Sequence, residues 1–195
     1  MDKKEDLRTR MTTLMLTQTL FDLMQKKPFD EITVVDICKA AQVNRSTFYN
    51  HFEDKHQLLN QLFSEIHQRF RRRSAEYPTE EGTKHEYYLF FLEQILNDIQ
   101  THRKFYESGL LHSKSYLNQV FKDSIRQYLI ESFEEDVASG SLRFLLPIPI
   151  IAEYFSGAFM SMAAWWLRGE MEIPIETLIS YADLLISGNF IAPGS

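Results

Sequence analysis

Apolar residues recur at helical spacing along nearly the whole chain. Leu7, Met11 and Leu14, then Leu16, Leu20, Leu23 and Met24, predict a first amphipathic helix that ends near Lys27, where Pro28 stops it. Val34, Ile37 and Ala41 share one side of a short second helix starting at Thr33, and Asp36 stands three residues on, as in a capping box. A third short helix opens at Asn44, a good N-cap residue, and carries Phe48 and Phe52 on its inner face. Asp54, with Gln57 behind it, should cap a long helix bearing Leu58, Leu59, Leu62, Phe63, Ile66 and Phe70 and running out into Arg71–Arg73. The polar stretch Ser74 to Thr83, with Pro78 and Gly82, reads as a loop. Helical periodicity resumes over 84–101, 105–111 and 115–138, where Ser139-Gly140-Ser141 stops it. Pro147 and Pro149 suit the first turn of a helix reaching Gly169, and Pro174 opens a last helix, 175–187, closed by Gly188-Asn189. There is no internal repeat. The predicted fold class is all-α, with about nine helices.

Composition agrees. The chain has 195 residues, 44% of them hydrophobic, enough for one ordinary domain or a small domain packed on a larger one. Only 7 Gly and 6 Pro leave little material for the turns of a many-stranded β protein. The longest apolar run, Phe155 to Leu167, is broken by Ser156, Gly157 and Ser161, so no membrane partner is expected. The start, MDKKEDLRTRM, lacks the apolar stretch of a signal peptide, and the single cysteine, Cys38, cannot form an internal disulfide. A cytoplasmic chain is the expectation. Charge is uneven: residues 1–73 hold 13 Lys+Arg against 10 Asp+Glu, a net of +3, while 74–195 hold 8 against 17, a net of −9. A basic first third fits a part that meets an anion, once a motif is found there.

That motif lies in residues 32–59, ITVVDICKAAQVNRSTFYNHFEDKHQLL. Two short helices joined by a tight turn, the second poor in apolar residues, are what a helix-turn-helix requires, although the shape alone is often only a packing unit. At 100° per residue, Phe48 and Phe52 point inward, Ser46 and Asn50 point most directly away, and Thr47 lies beside them. Short polar side chains there can approach base edges in a major groove. Tyr49 and His51 fall on the flanks, where hydroxyl and imidazole can donate to phosphate oxygens. Arg45 can reach a guanine edge or the backbone, and Asn44 opens the same helix. Lys55 adds a cation to the N–H groups opening the fourth helix, a phosphate site, and Thr33 is similarly placed on the second.

Read together, ITV-x-DI-x-x-A-x-V-N-R-S-T-F-Y-x-H-F-x-D-K-x-x-LL resembles the signature of the tetracycline-repressor (TetR/AcrR) family of bacterial transcriptional regulators, over roughly residues 10–65. Farther on, EYFSGAFMSMAAWWLRGEMEIPIETL is similar to the C-terminal domain of small members from low-GC Gram-positive bacteria. The resemblance implies a homodimer with a helix-turn-helix head (1–53) and a helical effector-binding and dimerisation body (54–195), joined by a connecting helix, Asp54–Arg73. It implies phosphate contacts from Tyr49, His51 and Lys55, and base contacts from Arg45, Ser46, Thr47 and Asn50. The family usually has Gly where Gln42 stands; if that position is left-handed, Gln costs about 1 kcal/mol. Lys27-Pro28, where a Gly is common, falls in a loop.

The body offers less. Its aromatic residues read either as core or as the wall of an effector pocket, for which His102, Phe105, Tyr128, Phe155, Phe159 and Trp166 are the candidates. Gly157, Ser161 and Ala164, facing Leu178, Ile179, Ala182 and Leu185 of the last helix, are the candidate dimer interface, a four-helix contact with the second chain. No enzyme motif is present: no GxGxxG, P-loop, GxSxG, HExxH or CxxC, and one unpaired Glu53-x-x-His56. No cofactor or metal is expected. The function expected is a homodimeric repressor that binds double-stranded DNA at a palindromic operator and is released by a small-molecule effector. The competing reading keeps the fold as a coactivator that binds another regulator instead of an operator.

Overall fold

A computed structural model describes residues 3–74, 77, 83–111 and 115–188. Most of the predicted loop at 74–83 therefore lies outside the described residues, as do His112 and Asn189. Among the described residues there are nine α-helices and no strand: α1 Lys3–Met24, α2 Val34–Ala40, α3 Arg45–Tyr49, α4 Lys55–Ser74, α5 Lys84–Thr101, α6 Arg103–Leu110, α7 Tyr116–Ala138, α8 Ile148–Arg168 and α9 Ile175–Ile186. A single 3-10 turn, Phe29–Glu31, joins α1 to α2. The chain divides into two compact units, one of Met1–His67 with Lys104–Ser124, the other of Gln68–Arg103 with Ile125–Ser195.

In the first unit the core is built from the apolar stripes of α1 and α4. Leu16, Leu20 and Met24 of α1 and Leu58, Leu59, Leu62 and Phe63 of α4 are all buried there, and the Thr17 hydroxyl of α1 donates to the Glu65 carboxylate of α4 at 2.8 Å. Phe105 of α6 joins them: its ring is 4.9 Å from Phe21 and 5.4 Å from Phe121. Gly109 lies under the Phe121 ring, which a Cβ would enter, so glycine lets α6 and the start of α7 close together. The short helices are held from outside themselves. An isolated helix below roughly 12–15 residues is marginal in water, and α2 and α3 have 7 and 5. Ile37 and Phe48, fully buried, anchor them in this core.

Their ends are fixed by hydrogen bonds. Thr33 caps α2 through a complete capping box: its hydroxyl accepts from the Asp36 amide, and the Asp36 carboxylate accepts from the Thr33 amide at 2.9 Å. Beyond Ala41 the chain reverses through Gln42, at φ 56°. There the Gln42 amide donates to the Lys39 carbonyl at 3.4 Å, and the Val43 amide to Cys38 at 3.0 Å. That pair of bonds is a Schellman motif, whose turn position is left-handed and suits glycine. Asp54 caps α4, accepting from the amides of His56 and Gln57 at 2.8 Å each.

In the second unit α5 packs along α9, and His85 reaches Asp183 at 2.6 Å. Phe91 of α5 stacks on Tyr128 of α7, centroids 4.0 Å apart and planes 4° apart. The buried carboxylate of Asp136 near the end of α7 receives the Tyr88 hydroxyl at 2.7 Å and the Lys84 ammonium at 2.6 Å. Burial, with this carboxylate beside it, pushes the Tyr88 phenol far above its ordinary range. Gly140, at φ 74°, then ends α7 as the Ser139-Gly140-Ser141 signal implied. Trp166 is buried on α8, and its indole N–H donates to the Ile173 carbonyl at 2.8 Å, tying α8 to the link that leads into α9.

Gln42 generates a stability prediction. Gln42→Gly should raise the unfolding free energy by about 1 kcal/mol, because relief of the left-handed penalty outweighs the added freedom of the unfolded chain. Urea denaturation followed by helical circular dichroism measures it; a loss of stability would mean that the Gln42 side chain contributes a contact of its own.

Candidate nucleic-acid interface

The outer surface of α3 is polar and unencumbered. Phe48 and Phe52 turn inward, 5.9 Å apart, as the 100° spacing requires. Arg45, Ser46 and Asn50 are exposed, and Thr47 and His51 half-buried. Tyr49 is 56% exposed, with its ring edge-on to Phe48 at 5.5 Å. Among the described residues, none gives the side chains of Arg45, Ser46, Thr47, Tyr49, Asn50 or His51 a hydrogen-bond or ion-pair partner. Asn44 stands at the N-cap of α3, but its side chain makes no capping bond. Seven of the nine predicted contact residues thus present free polar groups on one short stretch of chain.

The remaining two are engaged within the fold. Both the amide and the hydroxyl of Thr33 donate to Asp36 Oδ2, at 2.9 and 2.8 Å. Lys55 directs its ammonium to three backbone carbonyls, those of Phe29, Asp30 and Ile32. Asp54 meanwhile holds two of the amides that open α4. A phosphate at either position would have to displace bonds already made, which spacing along the chain does not reveal. Sequence reasoning also missed Lys27, whose ammonium bonds Asp36 Oδ2 at 2.9 Å and the Glu31 carbonyl at 3.1 Å. No pattern marked it, because a Lys beside a loop proline has the look of solvated charge. Glu53-x-x-His56 belongs to the same region: His56 lies 3.7 Å from Asp54 and edge-on to Tyr116 at 4.9 Å. No cluster of metal-ligating side chains occurs among the described residues.

Comparison with known proteins gives this surface a context. A family model described as "Bacterial regulatory proteins, tetR family" matches residues 16–62, and one described as "Transcriptional regulator C-terminal region" matches 86–188, just over half of the chain. The chain belongs to the TetR family of transcriptional regulators. Regulators of this family are generally DNA-binding proteins and not enzymes. Among curated proteins, the dhaKLM operon transcriptional activator DhaS of Lactococcus lactis is 36% identical over 53 residues, which span 27% of this chain and 28% of that protein. The TetR fold recurs in a regulator from Syntrophomonas wolfei, with TM-score 0.72, 19% identity and coverage of 94% of this chain and 99% of that one. It recurs in FadR from Bacillus subtilis, solved with stearoyl-CoA, with TM-score 0.71, 17% identity and coverage of 91% and 99%. No helix among the described residues is long and apolar enough to cross a membrane.

In this TetR-family chain the predicted dimer residues separate into two groups. Ala164, Leu178 and Ala182 are buried within their own chain, Leu178 at 2% exposure. Small and aliphatic residues at helical spacing serve a chain's own packing as well as a partner's, and here they do the former. Ser161 and Leu185 are exposed, Gly157 and Ile179 half-buried. The outward stripe of α8 is instead Ile150, Tyr154, Ala158, Ser161 and Trp165, with Trp165 at 55% exposure, and α9 adds Tyr181 and Leu185. Of the predicted pocket residues, Phe105 is buried in the first unit. The other five lie in the second unit. There Tyr128 and Trp166 are buried, and His102, Phe155 and Phe159 are half-buried. His102 Nδ1 lies 3.2 Å from the Asp98 carbonyl, and Phe155 packs against Leu129, Phe133 and Ala152.

The capping carboxylates make the head acid-sensitive. Asp36 is held well below the usual carboxylate range, first by the Lys27 ammonium and then by the Thr33 amide, and Asp54 is lowered mainly by the Gln57 amide. A carboxylate lowered in the folded state contributes stability that is complete above its unfolded pKa near 4 and is lost as pH falls through the folded value. Thermal melts should therefore drop steadily below about pH 4. Asp36→Asn should melt lower at pH 6 and lose less on acidification than the parent; equal acid sensitivity in both would remove Asp36 from this account.

Proposed function

We propose that this TetR-family regulator is a homodimer that binds a palindromic operator on double-stranded DNA through α3, acts in the cytoplasm as a repressor, and is released by a small-molecule effector. The observation that carries the reading is the row of unpartnered polar side chains on α3. Arg45, Ser46, Thr47 and Asn50 have the size and donors to read base edges in a major groove. Tyr49 and His51 lie beside them where phosphates would pass. Arg45 adds an exposed, unpaired cation to that row among the described residues, which favours an anion there. Homodimers and repressors are typical of the family. An exposed apolar stripe on α8 and α9 supports pairing, because aromatic and aliphatic side chains grouped on one surface favour a partner over water. Two recognition helices also match a two-fold operator. For the effector, the B. subtilis FadR structure holds stearoyl-CoA and a Thermus thermophilus FadR, of TM-score 0.67, holds lauroyl-CoA, so acyl-CoA thioesters are the first class to titrate.

The likeness to DhaS favours a second reading, since that protein is named as a transcriptional activator. A coactivator would dock on another regulator and leave α3 off DNA. Salt distinguishes the two: DNA binding through about six to ten phosphates weakens ~10³–10⁵-fold between 50 and 200 mM salt, and apolar docking does not.

The purified protein should retain one short palindrome from fragmented genomic DNA, identified by sequencing. Retention of no particular sequence by a folded dimer would leave the coactivator reading. With the palindrome in hand, Asn50→Ala or Arg45→Ala should change the preferred base at one position at a cost of about 1–3 kcal/mol, whereas Tyr49→Phe should weaken all sequences alike. Trp165→Asp should convert the dimer to monomer in light scattering and lose operator affinity with it. A dimeric Trp165→Asp would place the interface elsewhere.

A further inference from the structure

The turn between α1 and α2 is held by two lysines from opposite sides. Lys55 Nζ, from the first turn of α4, donates to the carbonyls of Phe29 at 3.0 Å, Asp30 at 3.1 Å and Ile32 at 2.8 Å, and sits 4.6 Å from the centre of the Phe29 ring. Lys27 Nζ takes the carbonyl between them, that of Glu31, at 3.1 Å. Four consecutive carbonyls thus end on two ammonium groups. The chemistry follows from the turn: in a 3-10 helix of three residues only the Phe29 carbonyl receives a following amide, that of Ile32 at 3.0 Å, and the aligned negative ends of the carbonyls attract a cation. An ammonium has three protons, and three carbonyl partners satisfy all of them. The next residue is Thr33, the cap of α2, and Lys27 also bonds the Asp36 carboxylate that completes that cap. α2 in turn packs on α3.

Resting on the DNA-binding reading above, we propose that Lys55 is a positioning residue for recognition: it fixes the Phe29–Ile32 turn, and so the start of α2 and the seat of α3, without touching DNA. Two facts separate this role from a phosphate contact. The ammonium is already saturated, and the N-terminal amides of α4 beside it are held by the Asp54 carboxylate, whose negative charge repels a phosphate.

The test compares the parent with Lys55→Met, which keeps the stem and removes the cation, and with Lys55→Arg. Amide exchange and binding to both the recovered palindrome and random duplex are measured from 50 to 200 mM salt. In Lys55→Met, amides of residues 29–43 should exchange about tenfold faster or more, the scale of one charge-assisted hydrogen bond, while those of α5 and α9 stay at parental rates. Affinity for the palindrome should fall by at least the same factor. Random-duplex affinity and the slope of log K against log salt should not change, and Lys55→Arg should restore part of the preference. A slope reduced by ~0.9 per subunit with unaltered exchange would mean a phosphate contact and would overturn the proposal. Faster exchange with an unchanged ratio of specific to random binding would overturn it too, leaving a purely structural role. Should Lys55→Met fail to fold, Lys27→Met loosens the same turn from its other side and is read by the same criteria. If the parent itself prefers no sequence, the DNA-binding reading fails first, and the exchange comparison alone reports whether Lys55 fixes the turn.

Discussion

A five-residue helix that turns short polar side chains outward cannot also bury enough of itself to stand alone. That constraint governs the first unit. α3 has five residues, and Phe48 is its one buried side chain. Its stability therefore comes from neighbours: Phe52 just beyond it, the Ile37 anchor of α2, and a turn through Gln42 that accepts a left-handed residue to aim α3 correctly. The long helices α1 and α4 supply the apolar stripes on which these short pieces rest, which is why Leu16, Leu20, Leu58 and Leu59 are wholly buried although none is near the polar surface they support.

Electrostatics divides along the same lines. In the second unit, four basic side chains are spent on acidic ones: Arg69 bonds Asp98, Arg71 bonds Glu131 and Glu135, Lys84 bonds Asp136, and Arg103 bonds Glu170. The pairs made by Glu131, Glu135 and Glu170, open to water, add little stability singly, whereas Arg69 and Lys84 neutralise carboxylates that are themselves buried. Their effect is to leave the net −9 of residues 74–195 on groups already committed or facing water. Arg45 in the first unit has no such partner among the described residues. A modest net charge of +3 over residues 1–73 thus matters less than where the uncommitted donors stand.

Helix positions were legible because they rest on local rules. Thr33 with Asp36, Pro147 and Gly140 each fix a helix end within a few residues of chain, and the periodicity between them did the rest. The candidate site was legible to the same depth: facing directions on α3 follow from 100° per residue, and Phe48 and Phe52 point in as that spacing requires. What was not legible depends on pairs distant in sequence. The carbonyls that hold Lys55 lie 23 to 26 residues before it, and no periodicity reports that. Likewise, small residues at Ala164 and Ala182 fit a partner chain or the chain's own core equally well until the packing is known.

Residue type alone therefore does not separate a contact from a support. Thr33 and Thr47 are the same side chain, each near the start of a short helix in the basic part of the chain. The hydroxyl of Thr33 is closed into a capping box, whereas that of Thr47 has no partner among the described residues. Lys55 and Arg45 are both long cations in the first turn of a helix, yet one is saturated by carbonyls and the other has no hydrogen-bond or ion-pair partner among the described residues. The distinction is thermodynamic. A group already bonded in the free protein gains only the difference between its old and new partners on binding, whereas an open donor exchanges water for a directed bond. On the proposed DNA-binding reading, recognition therefore concentrates in the groups that folding left unspent, and the bonded ones determine where those groups are aimed.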